Sequence, residues 1–490
     1  MKKIFSALLL FPLVLIAQTK KPASPNNVNP GHAIQISLKP YQNTKVYIGA
    51  NYGNNKVLAD SCILNEKSEG VFQSKEKLTP GIYFIVSPKM SILFDFLVDE
   101  KQHFSIAADT LNLKNIVITG SKENELFQNY SNNINDLFVQ LNSIEQNFKA
   151  AKNAKDSANF KELYLAKDKE IKQKRKSFIE SNPNSMMAFL LNTMQVPDAP
   201  AIPIVNGKAD SLYPFRYVKD HYWDNVVFND NRLVRTPFFE KKLDDYFKNY
   251  VSREPDSIIE EVQYMLTVAK TGKEIYPFLL FKFTNKYISP EFMGQDKVFL
   301  HIYQNFFAKG DTVLLNEASK KSLRDRAYSL MANQLGLPAP ILVLNDVQDK
   351  RFALHNIKAP YTFIAFWDPT CSHCKVEIPK LDSIYKASWK AMNVTVVSVN
   401  INAKEITAWK KFITDHQLEG WVNGYQTEED LNKEIREGKP TTIRQLYDVY
   451  KTPTFYLLDK DKKIIAKNLS LEQFNEFLQT TIKKQQPQRP

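Results

Sequence analysis

The segment Tyr361–Trp367 is an apolar run with no polar alternation. It breaks at Asp368-Pro369-Thr370 and passes into Cys371-Ser372-His373-Cys374 and a helical pattern that reaches about Trp389. An unalternating run of this length reads as a strand covered on both faces. A second such strand follows at Val394–Asn400, a second helix at Ile406–His416, and a short helical stretch at Ile443–Tyr450. Thr454–Leu458 and Lys463–Ala466 then read as a hairpin around Asp459-Lys460-Asp461-Lys462, with a last helix at Leu471–Ile482. Strands that alternate with helices predict an α/β domain with a partly parallel sheet, over residues 337–484.

The 490-residue chain has room for about three domains at roughly 100–200 residues each. Residues 32–120 carry short runs of β-formers: Ala33–Leu38, Lys45–Ile48, Gly81–Val86, Ile92–Val98, Phe104–Ala107 and Asn115–Ile118. Turn-prone clusters such as Asn51-Tyr52-Gly53-Asn54-Asn55 separate them, which predicts an antiparallel β-rich domain. After Gly120 the period changes. Leu126, Tyr130, Ile134, Leu137, Leu141, Ile144 and Phe148 recur at three- and four-residue steps, so residues 121–184 read as a helical hairpin with a polar turn near Lys149–Asn159. Residues 185–335 read as an irregular helical domain punctuated by prolines. The fold class expected is therefore multidomain α+β: a β-rich domain, a helical middle and a C-terminal α/β domain.

Lys2 and Lys3 followed by the apolar stretch Ile4–Ile16 predict an export signal over residues 1–17, then a polar linker at 18–31; residues 485–490 read as a flexible tail. The apolar stretch is short of the ~20 residues that span a bilayer, so membrane association is expected only if the signal stays uncleaved. The net charge of +12 is scattered, and its densest run, Lys167–Lys176, also holds Asp168 and Glu170. No basic stripe interleaves with aromatics, so no nucleic-acid partner is expected.

Of the three cysteines, Cys62 stands alone in a β-rich run and reads as a small buried residue. Cys371 and Cys374 form a Cys-x-x-Cys pair at a helix start. There, free N–H groups and the helix dipole place roughly half a positive charge beside the first sulfur. That favours the thiolate, the form that attacks disulfides, and the two-residue spacer lets the second thiol resolve the mixed disulfide. His373 between them can add positive charge. A zinc site would need a second ligand pair, and haem attachment would need His where Lys375 stands. A bridge over so short a loop would add little stability. His221 and His301 have no partner at ligand spacing. No cofactor is expected beyond a redox-active disulfide.

Phe366-Trp367 before the pair, Cys371-Ser372-His373-Cys374, Glu377, Pro379 and Lys451-Thr452-Pro453-Thr454 before a strand together resemble the thioredoxin superfamily, more narrowly its TlpA/ResA-like envelope members. The resemblance implies a thioredoxin fold, a cis Pro453 facing the cysteines, and Glu377 as a buried acid near Cys374 that accepts its proton. It implies catalytic roles for Cys371, Cys374, Glu377 and Pro453, and substrate-binding or tuning roles for Trp367, His373 and Thr452. The upstream regions resemble uncharacterised modules that precede envelope thioredoxins.

A periplasmic thiol–disulfide oxidoreductase is thus expected, reductive in direction, with disulfide-bearing client proteins and an envelope thiol electron carrier as partners. His373 resembles the spacer of more oxidising enzymes and argues the other way on direction. The alternative is an envelope binding or scaffold protein with an accessory thioredoxin module. A thiol peroxidase would need Pro and Thr where Ile364 and Asp368 stand, so that motif is absent.

Overall fold

A computed structural model describes residues 31–312, 315–436 and 442–485. The export signal expected at 1–17, the linker up to residue 30 and residues 486–490 lie outside the described residues. The chain forms two compact units, one up to Leu191 and one from Asn192.

Among the described residues of the first unit, eight strands make two four-stranded sheets. They are β1 (His32–Lys39), β2 (Lys45–Tyr52), β3 (Asn55–Ile63), β4 (Glu69–Ser74), β5 (Gly81–Val86), β6 (Ile92–Val98), β7 (His103–Asp109) and β8 (Val117–Thr119). The sheet orders are β4-β1-β7-β8 and β3-β2-β5-β6. Ile34, Ile36 and Leu38 recur at the strand period and meet Val46, Ile48, Phe72, Phe96 and Phe104 in one core. Pairing is antiparallel as expected, except that β1 and β7 run parallel. The chain crosses to the other sheet between them, so no tight hairpin fixes their relative direction. The Asn51–Asn55 cluster makes the β2–β3 turn, where Tyr52 pairs with Asn55 and Gly53 takes φ +58°.

Helices α1 (Lys122–Ala150) and α2 (Ala154–Ser181) follow as an antiparallel hairpin whose turn is only Ala151–Asn153. Ser121 and Asn153 cap their starts by accepting N–H bonds from Asn124 and Asp156. Asn124, fully buried, bonds both the N–H and the carbonyl of Leu97, which ties α1 to β6. Helix α3 (Met186–Met194) spans the division between the units.

The second unit begins with a small hairpin, β9 (Ile204–Val205) and β10 (Lys208–Ala209). Six helices follow: α4 (Tyr213–His221), α5 (Phe239–Asn249), α6 (Pro255–Ala269), α7 (Ile275–Tyr287), α8 (Asp296–Asn305) and α9 (Glu317–Met331). The α/β section then runs β11 (Val343–Asp346), β12 (Arg351–Ala353), β13 (Tyr361–Trp367), α10 (Ser372–Ile384), β14 (Val394–Asn400), α11 (Ile406–Asp415) and β15 (Val422–Tyr425). It ends with α12 (Glu428–Arg436), α13 (Ile443–Leu446), β16 (Thr454–Leu458), β17 (Ile464–Lys467) and α14 (Leu471–Gln485).

Its seven strands form one mixed sheet, ordered β12-β11-β15-β14-β13-β16-β17. Strand β13 pairs parallel with β14 and antiparallel with β16. Phe363, Ala365 and Trp367 face one core, with Ile378 of α10 and Trp409 of α11; Ile364 and Phe366 face the other, with Tyr447 and Tyr456. Two covered faces explain why β13 shows no polar alternation. This is the thioredoxin-like architecture that the sequence motifs imply.

The helical and α/β residues share this unit, and buried charges join them. Lys467 of β17 donates to Asp296 of α8 at 2.7 Å and to the Asn333 side-chain Oδ1 at 2.7 Å, with the two charged side chains only 1% and 2% exposed. Burial pushes the Lys467 ammonium down from its ordinary range, and Asp296 opposes that.

Candidate active site at the start of a helix

Strand β13 delivers the site. After Trp367 the chain turns through Asp368-Pro369-Thr370, a turn closed by the bond from the Cys371 N–H to the Asp368 carbonyl at 3.1 Å. The Asp368 carboxylate braces it, accepting from the Thr370 N–H and hydroxyl at 2.8 and 2.6 Å, and from Asn402 at 2.9 Å. Burial pushes this carboxyl up, but those bonds and the Arg444 charge outweigh it and hold it below the ordinary carboxylate range.

Cys371 occupies the N-cap of α10 in extended conformation, and Cys374 lies one turn inside. Cys371 is half-buried and Cys374 wholly buried, and both thiols are free. Burial pushes the Cys371 thiol up. Bonds from the Thr452 side chain, from the Cys374 and His373 N–H groups and from the Cys374 thiol outweigh that and leave it below the ordinary thiol range. Burial, with the neighbouring Cys371 sulfur, pushes Cys374 up to about 12. The pair therefore holds one partly exposed sulfur whose thiol is pulled down and one buried sulfur whose thiol is pushed up.

Thr452 and Pro453 reach the pair from the loop between α13 and β16. Their peptide bond is cis, and the Thr452 carbonyl lies 3.5 Å from the Cys371 sulfur. His373 is exposed, and its backbone N–H is what bears on Cys371.

Two expectations are corrected. Glu377 is not a buried acid: its side chain is 31% exposed and lies 3.9 Å from the Lys380 ammonium. Its place on the first turns of α10 directs it along the partly exposed helix surface, beside Lys380. Trp367 cannot touch a substrate, because it is fully buried, donating its indole N–H to Ser398 at 2.7 Å and packing on Phe412. What it can do is brace the strand end that carries the site.

Sequence reading passed over Asp368, Asn402 and Ser398 as site residues. The Asp-Pro-Thr turn was a usable signal for Asp368. Asn402 and Ser398 carried none, because only strand pairing brings them near. A cleft of about 590 Å³ opens beside Asp368, lined by polar groups that include Asn400, Asn402, Gln426 and Arg444. Among the described residues, no group of three His, Cys, Asp or Glu could hold a metal ion. His221 pairs with Asp224 and His301 with Gln263.

Residues 335–467 match the AhpC/TSA family, while residues 32–127 and 152–331 match two domains of unknown function, DUF4369 and DUF5106. A relative, the thiol-disulfide oxidoreductase ResA of Bacillus cereus, is 29% identical over 154 residues, which are 31% of this chain and 80% of that protein. Among solved structures, a domain of a possible thiol-disulfide isomerase from Cytophaga hutchinsonii is 35% identical, with TM-score 0.27, covering 31% of this chain and 94% of that one. A thioredoxin-like protein from Bacteroides caccae is 22% identical, with TM-score 0.45, covering 59% of this chain and 99% of that one. The C-terminal section, behind two regions that match domains of unknown function, is thus thioredoxin-like and matches the AhpC/TSA family, and the chain is an oxidoreductase of the kind that works through cysteine chemistry.

Proposed function

We propose that the protein is a thiol–disulfide oxidoreductase of the cell envelope that reduces disulfides in client proteins. The observation that carries this reading is the asymmetry of the pair: Cys371 accessible with its thiol held down, Cys374 buried with its thiol pushed up to about 12.

In this reading the Cys371 thiolate attacks one sulfur of a client disulfide. The client S–S bond breaks, a Cys371–client bond forms, and the other client sulfur leaves as a thiolate that takes up a proton. Cys374 then gives up its proton and attacks the Cys371 sulfur. The mixed disulfide breaks, the second client thiol leaves, and a Cys371–Cys374 disulfide remains. The client gains two electrons and the pair loses two, which an envelope thiol carrier restores.

Glu377 follows Cys374 by three residues, so the two side chains are neighbours on the helix, and it serves as the proton acceptor. Thr452 and Pro453 form the edge against which a client chain lies, His373 tunes the pair, and Trp367 braces it. The sections before residue 335 position the domain or select clients. The envelope location rests on the charged and apolar pattern of residues 1–17. No described helix is long and apolar enough to cross a membrane.

Insulin reduction by the full chain tests the reading. Turnover that depends on both cysteines supports it. Activity equal to that of a Cys371→Ser/Cys374→Ser double variant overturns it in favour of a scaffold protein with an accessory module.

A further inference from the structure

The loop that brings Thr452 to Cys371 is held from outside the α/β section. Arg326, Ser329 and Asn333, on and just beyond α9, are spaced so that they share one helix face. The Arg326 guanidinium pairs with the Asp448 carboxylate, and its Nε and Nη2 donate to the Ile288 carbonyl at 3.2 and 3.0 Å. Its plane lies over the Tyr450 ring at 5.5 Å. Ser329 and Tyr450 hydroxyls are 3.3 Å apart, and Asn333 donates to the Leu446 carbonyl at 3.0 Å.

These contacts seize residues 446, 448 and 450, immediately before Thr452. Asp448 sits at φ +51°, a left-handed conformation that aspartate adopts more readily than most side chains and that its surroundings can hold in place. Here they do. The Asp448 and Arg326 side chains are 10% and 18% exposed, and a guanidinium fork fixes position as well as charge.

We propose that Arg326 is a positioning residue for Thr452, acting through Asp448 and Tyr450, so that helix α9 of the helical section sets the edge presented to Cys371. This rests on the reading of Cys371 as the attacking thiol. The groups that bear on Cys371 are Thr452, Cys374 and the His373 backbone, with the Asp368 turn behind them. None of them lies on α9, so α9 reaches Cys371 through the loop.

The test is the pH profile of Cys371 alkylation by iodoacetamide in the full chain, with peptide mapping. Arg326→Gln is expected to move the midpoint and to change labelling at neutral pH by about three- to tenfold, the worth of one ordinary hydrogen bond at the Cys371 sulfur, whose thiol donates to the Thr452 carbonyl. Arg326→Lys is expected to undo part of that change. Tyr450→Ala, at an exposed ring, is expected to give a smaller shift in the same direction and decides the matter should Arg326→Gln fail to fold. Arg326→Gln/Asp448→Asn separates position from charge: the same shift supports the proposal, and a return to the wild-type profile overturns it. Folded variants that lose thermal stability but keep the wild-type profile overturn it as well. Wild-type protein that reduces insulin and labels first at Cys371 upholds the underlying reading whatever the variants do; wild-type protein that does neither removes both.

Discussion

Cys62 in the β-sandwich and Cys374 in α10 are both buried, and burial pushes both thiols up to about 12. In isolation they would be equally inert. Cys62 lies in β3 opposite Val46, with Gly70 against it, Leu64 in the same core and Asp60 nearby, which pushes its thiol further up. Cys374 lies against a second sulfur whose thiolate is favoured. A protected thiol is thus a packing residue in one place and a reserve nucleophile in the other, and the neighbour makes the difference.

The sharpest way to break this comparison is to remove each thiol in turn. Cys371→Ser is expected to abolish insulin reduction, and Cys62→Ala to leave the rate unchanged; equal losses would erase the distinction. Cys374→Ser is expected to stop turnover after the first step and to accumulate covalent complexes, visible as extra bands on a non-reducing gel. Cys62→Ser is expected to trap none, and Cys371→Ser none either.

Alkylation tests the electrostatics behind this. Below its pKa, a thiol loses about tenfold of its thiolate for each pH unit. Cys371 is held below the ordinary thiol range and the other two at about 12, so mildly acidic reagent is expected to label Cys371 first by a wide margin. Preferential labelling of Cys374 would reverse the assignment of roles. Glu377→Gln is expected to slow exchange by at most about a hundredfold, the low end for a positioned base, since Glu377 is partly solvated. An unchanged pH–rate profile would leave it a surface acid. The smallest effect on exchange is expected from Gly70→Ala. An added Cβ would meet the Cys62 sulfur at 3.0 Å, so thermal melting should show a stability loss of about 1–3 kcal/mol while the exchange rate holds.

Much of the fold was legible. Strands β13, β14 and β16 have the bounds that their apolar runs predict, because both faces of each are covered. Strand β3 was not legible, since most of its residues are exposed or half-buried and so carry no apolar period. Strands β11, β12 and β15 are three or four residues long, too short to show one. At the site, Cys-x-x-Cys at a helix start announced itself locally. The exposure of Glu377 did not, because a helix position shows its face but not what covers it. The hold of α9 on the Thr452 loop was illegible for a different reason: Arg326 and Asp448 are 122 residues apart, and single polar residues leave no period.

The Asp296–Lys467 pair has a consequence for heredity. Each charge is tolerable in so dry a place only while the other is present, and removing one partner of a buried pair costs about 3–5 kcal/mol. The two positions, 171 residues apart, are therefore expected to change together across descendants of this gene or not at all. A chimera that grafts a foreign C-terminal section onto this helical section would inherit Asp296 without its lysine. It should misassemble at that seam until the lysine is transplanted as well.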